Sequence, residues 1–254
     1  MNKSLGKLTL ALLVALSSCV QVVTEIEANV KNAQGVEELN AGKYENAVAS
    51  FKEAIKSPNL SKETRAQIYR NIAQAFIDME QFDSSIQYST LAANCYDKNS
   101  YEYLVNIADV EIMTGKTSNA LVRLQKAQRI KPDEVAANNT LGLIYLGDYG
   151  EEFIDLEKAL VYNTNAFRIN DDRTTEYVLA RNYYDLMQFK NSEKHYENLY
   201  KKYPDNVLHP LSLGMVKYKL NKKDEAKILW KEVEKLDTSY NSFIQEFIVE
   251  NEQK

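Results

Sequence analysis

The stretch 104-LVNIADVEIMTGKTSNALVRLQKAQRIKP-132 carries Gly115, then Ala120 five residues on, Leu124 after four more, Ala127 after three and Pro132 after a final five. These offsets predict two amphipathic helices joined by a tight turn. Ala108 and Ala120 fall where such helices cross closely, and Leu124 and Ala127 continue one buried stripe, because residues three and four apart share a helical face. Lys131-Pro132-Asp133 ends the second helix, since proline has no amide hydrogen and pushes the preceding residue out of helical geometry.

Working outward, the same signals recur. A hairpin expected over 28–57 has Gly35 for a close crossing, Gly42 and Tyr44 at its turn, and Ala47, Phe51 and Ala54 along its second helix. The next, 66–97, matches least well: Ala73 and Phe76, then Phe82 at the turn, then Ser85, Ser89 and Ala92. After the hairpin at 101–132 come 135–171, with Leu141, Gly142 and Tyr145, and 173–204, with Ala180, Tyr183, Phe189, Tyr196 and Leu199. The last, 207–237, has Gly214, Ala226, Trp230 and Val233. The small residue opening each second helix falls at Ala47, Ser85, Ala120, Ala159, Ser192 and Ala226, at intervals of 38, 35, 39, 33 and 34 residues.

This spacing resembles the tetratricopeptide repeat, a helical hairpin of about 34 residues. The resemblance covers residues 28–237 and implies an all-α, right-handed superhelical solenoid of about six hairpins. One hairpin departs from it: Tyr145 to Ala159 spans 14 residues where the repeat has 9, so five extra residues, including Gly147, Asp148, Tyr149 and Gly150, read as a loop. In 239–254, Tyr240, Phe243, Ile244, Phe247 and Ile248 form one apolar stripe, expected to cap the open face of the last repeat. Docking onto a partner or a second copy is the other use of such a helix.

Residues 1–18 read as a signal peptide: Lys3 and Lys7, an apolar run from Leu8 to Leu16, then small residues. The run is far shorter than the ~20 residues a spanning helix needs. Leu16-Ser17-Ser18-Cys19 resembles a bacterial lipobox, which implies that Cys19 becomes the acylated first residue of the mature chain, with 19–27 as a tether. Several acyl chains hold a protein on a membrane where one does so only marginally. Val20 stands where an aspartate would retain an enterobacterial lipoprotein at the inner membrane, and no acidic run of the Bacteroides surface-export type follows. An outer-membrane position facing the periplasm is the expectation.

The composition, with 44% hydrophobic and 26% charged residues, suits a folded helical protein, and a net charge of −5 supplies no basic stripe for nucleic acid. Without residues 1–18 the charge falls by two to −7. No catalytic constellation, cofactor motif or metal site stands out. His195 and His209 lack neighbouring Cys or His and read as exposed or capping residues, Asp171-Asp172 reads as a helix cap, and Cys95 as a packed thiol. With only Cys19 and Cys95, no disulfide framework is expected.

In tetratricopeptide proteins the first helix of each repeat lines a concave surface that holds a peptide or a partner's helix. Carrying those positions over gives Arg70, Gln74, Asn139, Tyr177, Arg181, Tyr184 and Tyr218 as groove residues. The lysine and asparagine clamp that grips C-terminal carboxylates in chaperone-binding relatives is not reproduced. The function so implied is a lipid-anchored adaptor of the bacterial cell envelope that binds a protein or peptide and is no enzyme. The alternatives are a pilotin-like or outer-membrane-assembly factor, a nutrient-binding lipoprotein, a hydrolase and a purely structural oligomer.

Overall fold

A computed structural model of the chain describes residues 25–58 and 60–252, and within them every regular element is helical. The lipobox-like segment with Cys19 lies outside the described residues. The chain divides into two units, residues 1–130 and 131–254. The first holds α1 (25–40), α2 (Tyr44–Ala54), α3 (Lys62–Asp78), α4 (Phe82–Ala93), α5 (Tyr101–Met113) and α6 (Thr117–Ile130). The second holds α7 (Val135–Leu146), α8 (Leu156–Ile169), α9 (Arg173–Asp185), α10 (Phe189–Lys202), α11 (Leu208–Lys219), α12 (Lys223–Leu236) and α13 (Asn241–Glu252). Within each unit successive helices pair as hairpins, and the second helix of one hairpin packs on the first helix of the next.

Five of the hairpins turn in the same way. Their connection is three residues long, and its middle residue is left-handed: Gly42, Glu80, Gly115, Met187 and Asn221, with φ between 57° and 71°. The last turn residue donates its N–H to a carbonyl five positions back, as in Lys116 to Glu111 at 2.7 Å and Gln188 to Tyr183 at 2.8 Å. That closure satisfies a carbonyl the helix end would otherwise leave bare. Helix starts are fixed as locally: Ser61 caps α3, Ser100 caps α5, Asp155 caps α8, and Asp172 forms a capping box with Thr175 on α9.

Close approach of paired helices depends on small residues. A β-carbon on Gly35 would lie 2.5 Å from the Phe51 ring, and one on Gly214 would lie 2.3 Å from Trp230 Nε1. On Gly142 it would meet Asn163 Oδ1 at 1.8 Å. Ala47, Ala120, Ala159 and Ala226 are fully buried at the matching place on the second helices, as are Ser85 and Ser192. Ser192 stays buried by donating its hydroxyl to the Ala180 carbonyl at 2.8 Å.

The fourth hairpin carries the insertion. Gly147 ends α7 in the left-handed region, Gly150 continues the reversal at φ 140°, and a 3-10 turn at Glu151–Phe153 leads to α8. The Asp155 N–H returns to the Tyr145 carbonyl at 2.9 Å, so the extra residues form a closed excursion and the hairpin resumes.

At the far end of the second unit, Ile244 and Phe247 of α13 are buried against Trp230 and Tyr218, whose rings and that of Phe247 sit 5.7–5.9 Å apart. Trp230 donates Nε1–H to the Leu211 carbonyl at 3.3 Å. Phe243, placed on the same stripe by the sequence, is 44% exposed instead. It precedes Ile244 by about 100° of helical rotation and so leaves the buried seam.

The histidines differ from the sequence expectation of exposed or capping residues. His209 on α11 is only 2% exposed, with Nδ1 3.0 Å from the Tyr203 carbonyl. Burial holds its pKa below 6.5, partly offset by the Tyr203 hydrogen bond. His195 on α10 stacks on Tyr183 and meets Phe167 edge-on.

Three outcomes follow for stability. Gly214→Ala forces the new methyl into the packed Trp230 ring, at a cost of about 1–3 kcal/mol read from denaturant unfolding. Met187 is 77% exposed, so Met187→Gly relieves its left-handed backbone while losing little packing; a gain of about 0.5 kcal/mol is expected after the entropy of the new glycine is counted. The depressed pKa of His209 means that the unfolded chain takes up a proton first as pH falls below 6.5. Its contribution is complete above that value and shrinks below it, by at most about 1.4 kcal/mol per pH unit. Urea midpoints at pH 7.5 and 5.5 should therefore differ more for the native chain than for His209→Gln.

Candidate functional site

Tyr177, Arg181 and Tyr184 occupy one face of α9 at helical spacing, and the fold gives that face a wall on each side. Leu211, Ser212 and Met215 come from α11, Tyr196 from α10 and Phe243 from α13, enclosing with the α9 residues and Asp185 a cleft of about 260 Å³. Three of the residues carried over from the repeat pattern thus meet in one depression of the second unit. The exposure of Phe243 is accounted for, since its ring borders this cleft rather than the core.

The aromatic wall is ordered by Ser212. Its hydroxyl lies 3.5 Å from that of Tyr177 and also bonds that of Tyr196, and the two tyrosine rings meet edge-on at 5.6 Å. Tyr196 is 3% exposed, and burial pushes its pKa up. Tyr184 packs edge-on against Phe189, and burial, with the nearby Asp185 carboxylate, pushes its phenol to about 12. The Tyr196 and Tyr184 phenols are neutral throughout the physiological range.

Arg181 is not a free cation. Its two terminal nitrogens donate to the two carboxylate oxygens of Asp148 at 3.0 and 2.5 Å, the paired geometry in which guanidinium and carboxylate bind best. Asp148 belongs to the insertion between α7 and α8. Its hydrogen bonds raise the Arg181 pKa further, against the opposing effect of burial. Asp185, one turn along α9, lies 3.7 Å from Arg181 Nε and makes no hydrogen bond among the described residues. Burial pushes the Asp185 pKa up, Arg181 pulls it back down, and Asp148 adds to the rise. Counting Asp148, which pairs with Arg181 from outside the lining, two carboxylates stand around one guanidinium at the cleft.

The remaining groove positions lie elsewhere. Arg70 and Gln74 are on α3 in the first unit, where Arg70 donates to Gln67 at 2.6 Å and Asn106 at 3.4 Å, and Gln74 donates to Asp78 at 2.8 Å. Asn71 donates to Asn32 of α1 at 2.8 Å and accepts from Gln67, so side-chain hydrogen bonds through Asn71 and Arg70 link the first helices of three hairpins. Asn139 on α7 is half-buried, and its Oδ1 has no hydrogen-bond partner. Tyr218, expected at the groove, is 6% exposed and packs between Trp230 and Phe247, because α13 covers its ring.

Two further clusters of ionisable groups tie helices together. Glu176, fully enclosed between α9 and α10, accepts both hydrogen bonds of Asn198 at 2.7 and 2.9 Å and faces His195 Nδ1 at 3.3 Å. Lys217 is ringed by Glu193, Glu197 and Glu225 at 2.8–2.9 Å. Burial opposes its charge, but those three hydrogen bonds raise its pKa. Neither cluster sets a nucleophile beside a base, and among the described residues no three His, Cys, Asp or Glu side chains are grouped to hold a metal. Cys95 points its thiol at the Leu91 carbonyl at 3.4 Å, and burial pushes its pKa up.

The sequence pattern missed Asp185, Tyr196, Leu211, Ser212, Met215 and Phe243 as cleft residues, and Asp148 as the partner of Arg181. Asp185 was findable, since it stands four residues after Arg181 on a helix. Asp148 reaches the site only through the path of an irregular loop.

No known family profile matches the chain. Solved structures do. PilF of Pseudomonas aeruginosa shares 17% identity at a TM-score of 0.63, over 87% of this chain and 99% of its own. TTC0263, a tetratricopeptide protein of Thermus thermophilus, shares 15% at 0.58, over 74% and 98%. A tetratricopeptide protein of Parabacteroides merdae shares 14% at 0.53, over 81% and 78%. At these identities what is shared is the fold, and that fold is tetratricopeptide-like.

Proposed function

We propose that this protein is a lipid-anchored adaptor of the bacterial cell envelope that holds a protein or peptide partner at the cleft of α9, α11 and α13, without catalysing a reaction. The observation that carries the reading is the cleft itself: four aromatic side chains from α9, α10 and α13 and a carboxylate without a hydrogen bond, gathered beside the first helices of two consecutive hairpins. Tyrosine and arginine dominate the energetics of protein interfaces, and both stand here. Support for the anchor comes from the signal-like start and the Leu16-Ser17-Ser18-Cys19 segment. On this reading the anchor sits in the outer membrane and the repeats face the periplasm. No described helix is long and apolar enough to cross a membrane, and on this reading Cys19 carries the attachment.

A finer reading is a pilotin-like or outer-membrane-assembly factor. Six hairpins followed by the covering helix α13 support it.

The anchor and the cleft are tested separately. Expressed in bacteria with its signal, the full chain should gain the mass of lipidation and partition into membranes, and Cys19→Ser should lose both. An unmodified, soluble native chain would remove the anchor. For the cleft, a photo-crosslinking amino acid at position 184 should give discrete adducts in cells, and the same probe at Val161, an exposed residue of α8, should not. Equal labelling from both positions would count against the cleft as the binding surface.

A further inference from the structure

The charge and shape of the cleft specify more than that it binds. Of its ionic groups, Arg181 is paired bidentately with Asp148, whereas Asp185 has only the looser 3.7 Å approach of Arg181 Nε. One carboxylate is left over. Beside it stands the Tyr184 hydroxyl, which has no hydrogen-bond partner among the described residues, and behind it the apolar surface of Leu211 and Met215. At about 260 Å³ the space is below the range of pockets that enclose drug-sized molecules and too small for a helix; it suits one long side chain.

We propose that this cleft receives a cationic side chain, a lysine or arginine presented by an extended segment of the partner. The charged end pairs with Asp185 and donates to the Tyr184 hydroxyl, the methylene stem lies along Met215 and Leu211, and the ring faces of Tyr184 and Phe243 supply cation–π attraction. An acidic side chain is excluded by the same geometry, because it must first displace Asp148 from Arg181. An apolar one fills the space but covers Asp185 with no hydrogen bond and only the looser 3.7 Å approach of Arg181 Nε, which costs the desolvation of a charge. The assignment names the partner chemistry of the adaptor site and rests on that reading for its biological setting, but the recognition it describes is measurable on the isolated chain.

The probes are three blocked pentapeptides, acetyl-ALKLA-amide and its counterparts with norleucine or glutamate at the centre, titrated into the full chain labelled with ¹³C at the methionine methyls. Met215 lines the cleft, while Met79, Met113 and Met187 stand elsewhere and serve as controls. The lysine peptide should shift Met215 and leave the controls in place, bind at least tenfold tighter than either counterpart, and weaken as salt rises. Asp185→Asn, which keeps the side-chain shape, should remove the tenfold preference with an unchanged spectrum of the free protein. Asp148→Asn frees Arg181 and should raise affinity for the glutamate peptide. The proposal is overturned if the norleucine or glutamate peptide moves Met215 as readily as the lysine peptide, if no peptide moves it at millimolar concentration, or if the preference survives Asp185→Asn. Crosslinks from position 184 together with such a result would leave the adaptor standing and remove only the cation; a lysine preference without crosslinks would do the reverse.

Discussion

No methyl group fits at Gly214. The ring of Trp230 lies where it would go, and the same exclusion operates at Gly35 against Phe51 and at Gly142 against the Asn163 amide. Each pair brings the two helices of a hairpin so close that one side chain of the second helix rests on the backbone of the first. Once that distance is fixed, the outer surfaces of the first helices are set at a repeat spacing as well. Arg70 reaches Asn106 from one hairpin to the next, and Tyr177 reaches Ser212, because the helices beneath them have no freedom to part. A hairpin alone leaves one face of its core bare, so each depends on its neighbour, and α13 ends the series by laying Phe247 and Ile244 over Trp230.

The insertion between α7 and α8 changes the chemistry of that surface without disturbing its frame. Two glycines with positive φ let the chain leave and return, and the Asp155 to Tyr145 hydrogen bond closes the excursion. What the excursion delivers is Asp148. Without it Arg181 would present an open guanidinium flanked by tyrosines, a surface for acidic partners. With it the guanidinium becomes part of the wall, and the acceptor left facing the cleft is Asp185. Five residues far from α9 in sequence thus invert the sign of a site built on α9.

Those five residues also mark where sequence reading stops. Helix pairing was legible because it rests on local rules: small residues at the crossing, aromatic residues opposite them, a three-residue turn, a proline or a capping Asp or Ser at the join. The turns were legible where glycine marks them, at Gly42 and Gly115, but not where Glu80, Met187 and Asn221 fill the same place. Which residues shared a helix face was also readable, hence Tyr177, Arg181 and Tyr184. Their surroundings were not. Tyr218 occupies the matching position on α11, yet α13 folds across it, and nothing in the repeat says how the following segment lies. Phe243 looked like core by its spacing and borders the cleft instead. His209 read as exposed or capping because its neighbours in sequence say nothing of the rings of Tyr177 and Tyr203 that approach it in space. In each case the error concerns contacts between segments, which periodicity does not encode.

The pairing of Arg181 also decides how selective such a cleft can be. An ion pair at a surface contributes little, about 0–1 kcal/mol, when it stands alone in water. Arg181 and Asp148 are only about a third and a quarter exposed, and their contact is bidentate, so separating them uncovers two partly desolvated charges at once. A carboxylate arriving from outside must bear that separation and compete with an internal partner that is always present. A cation meets a weaker competitor: Asp185 has no hydrogen bond, only the 3.7 Å approach of Arg181 Nε, so a hydrogen bond to an incoming ammonium or guanidinium replaces none the protein already makes. Selectivity then comes less from the strength of the attraction to the cation than from an acidic ligand's place having been filled by the protein's own loop.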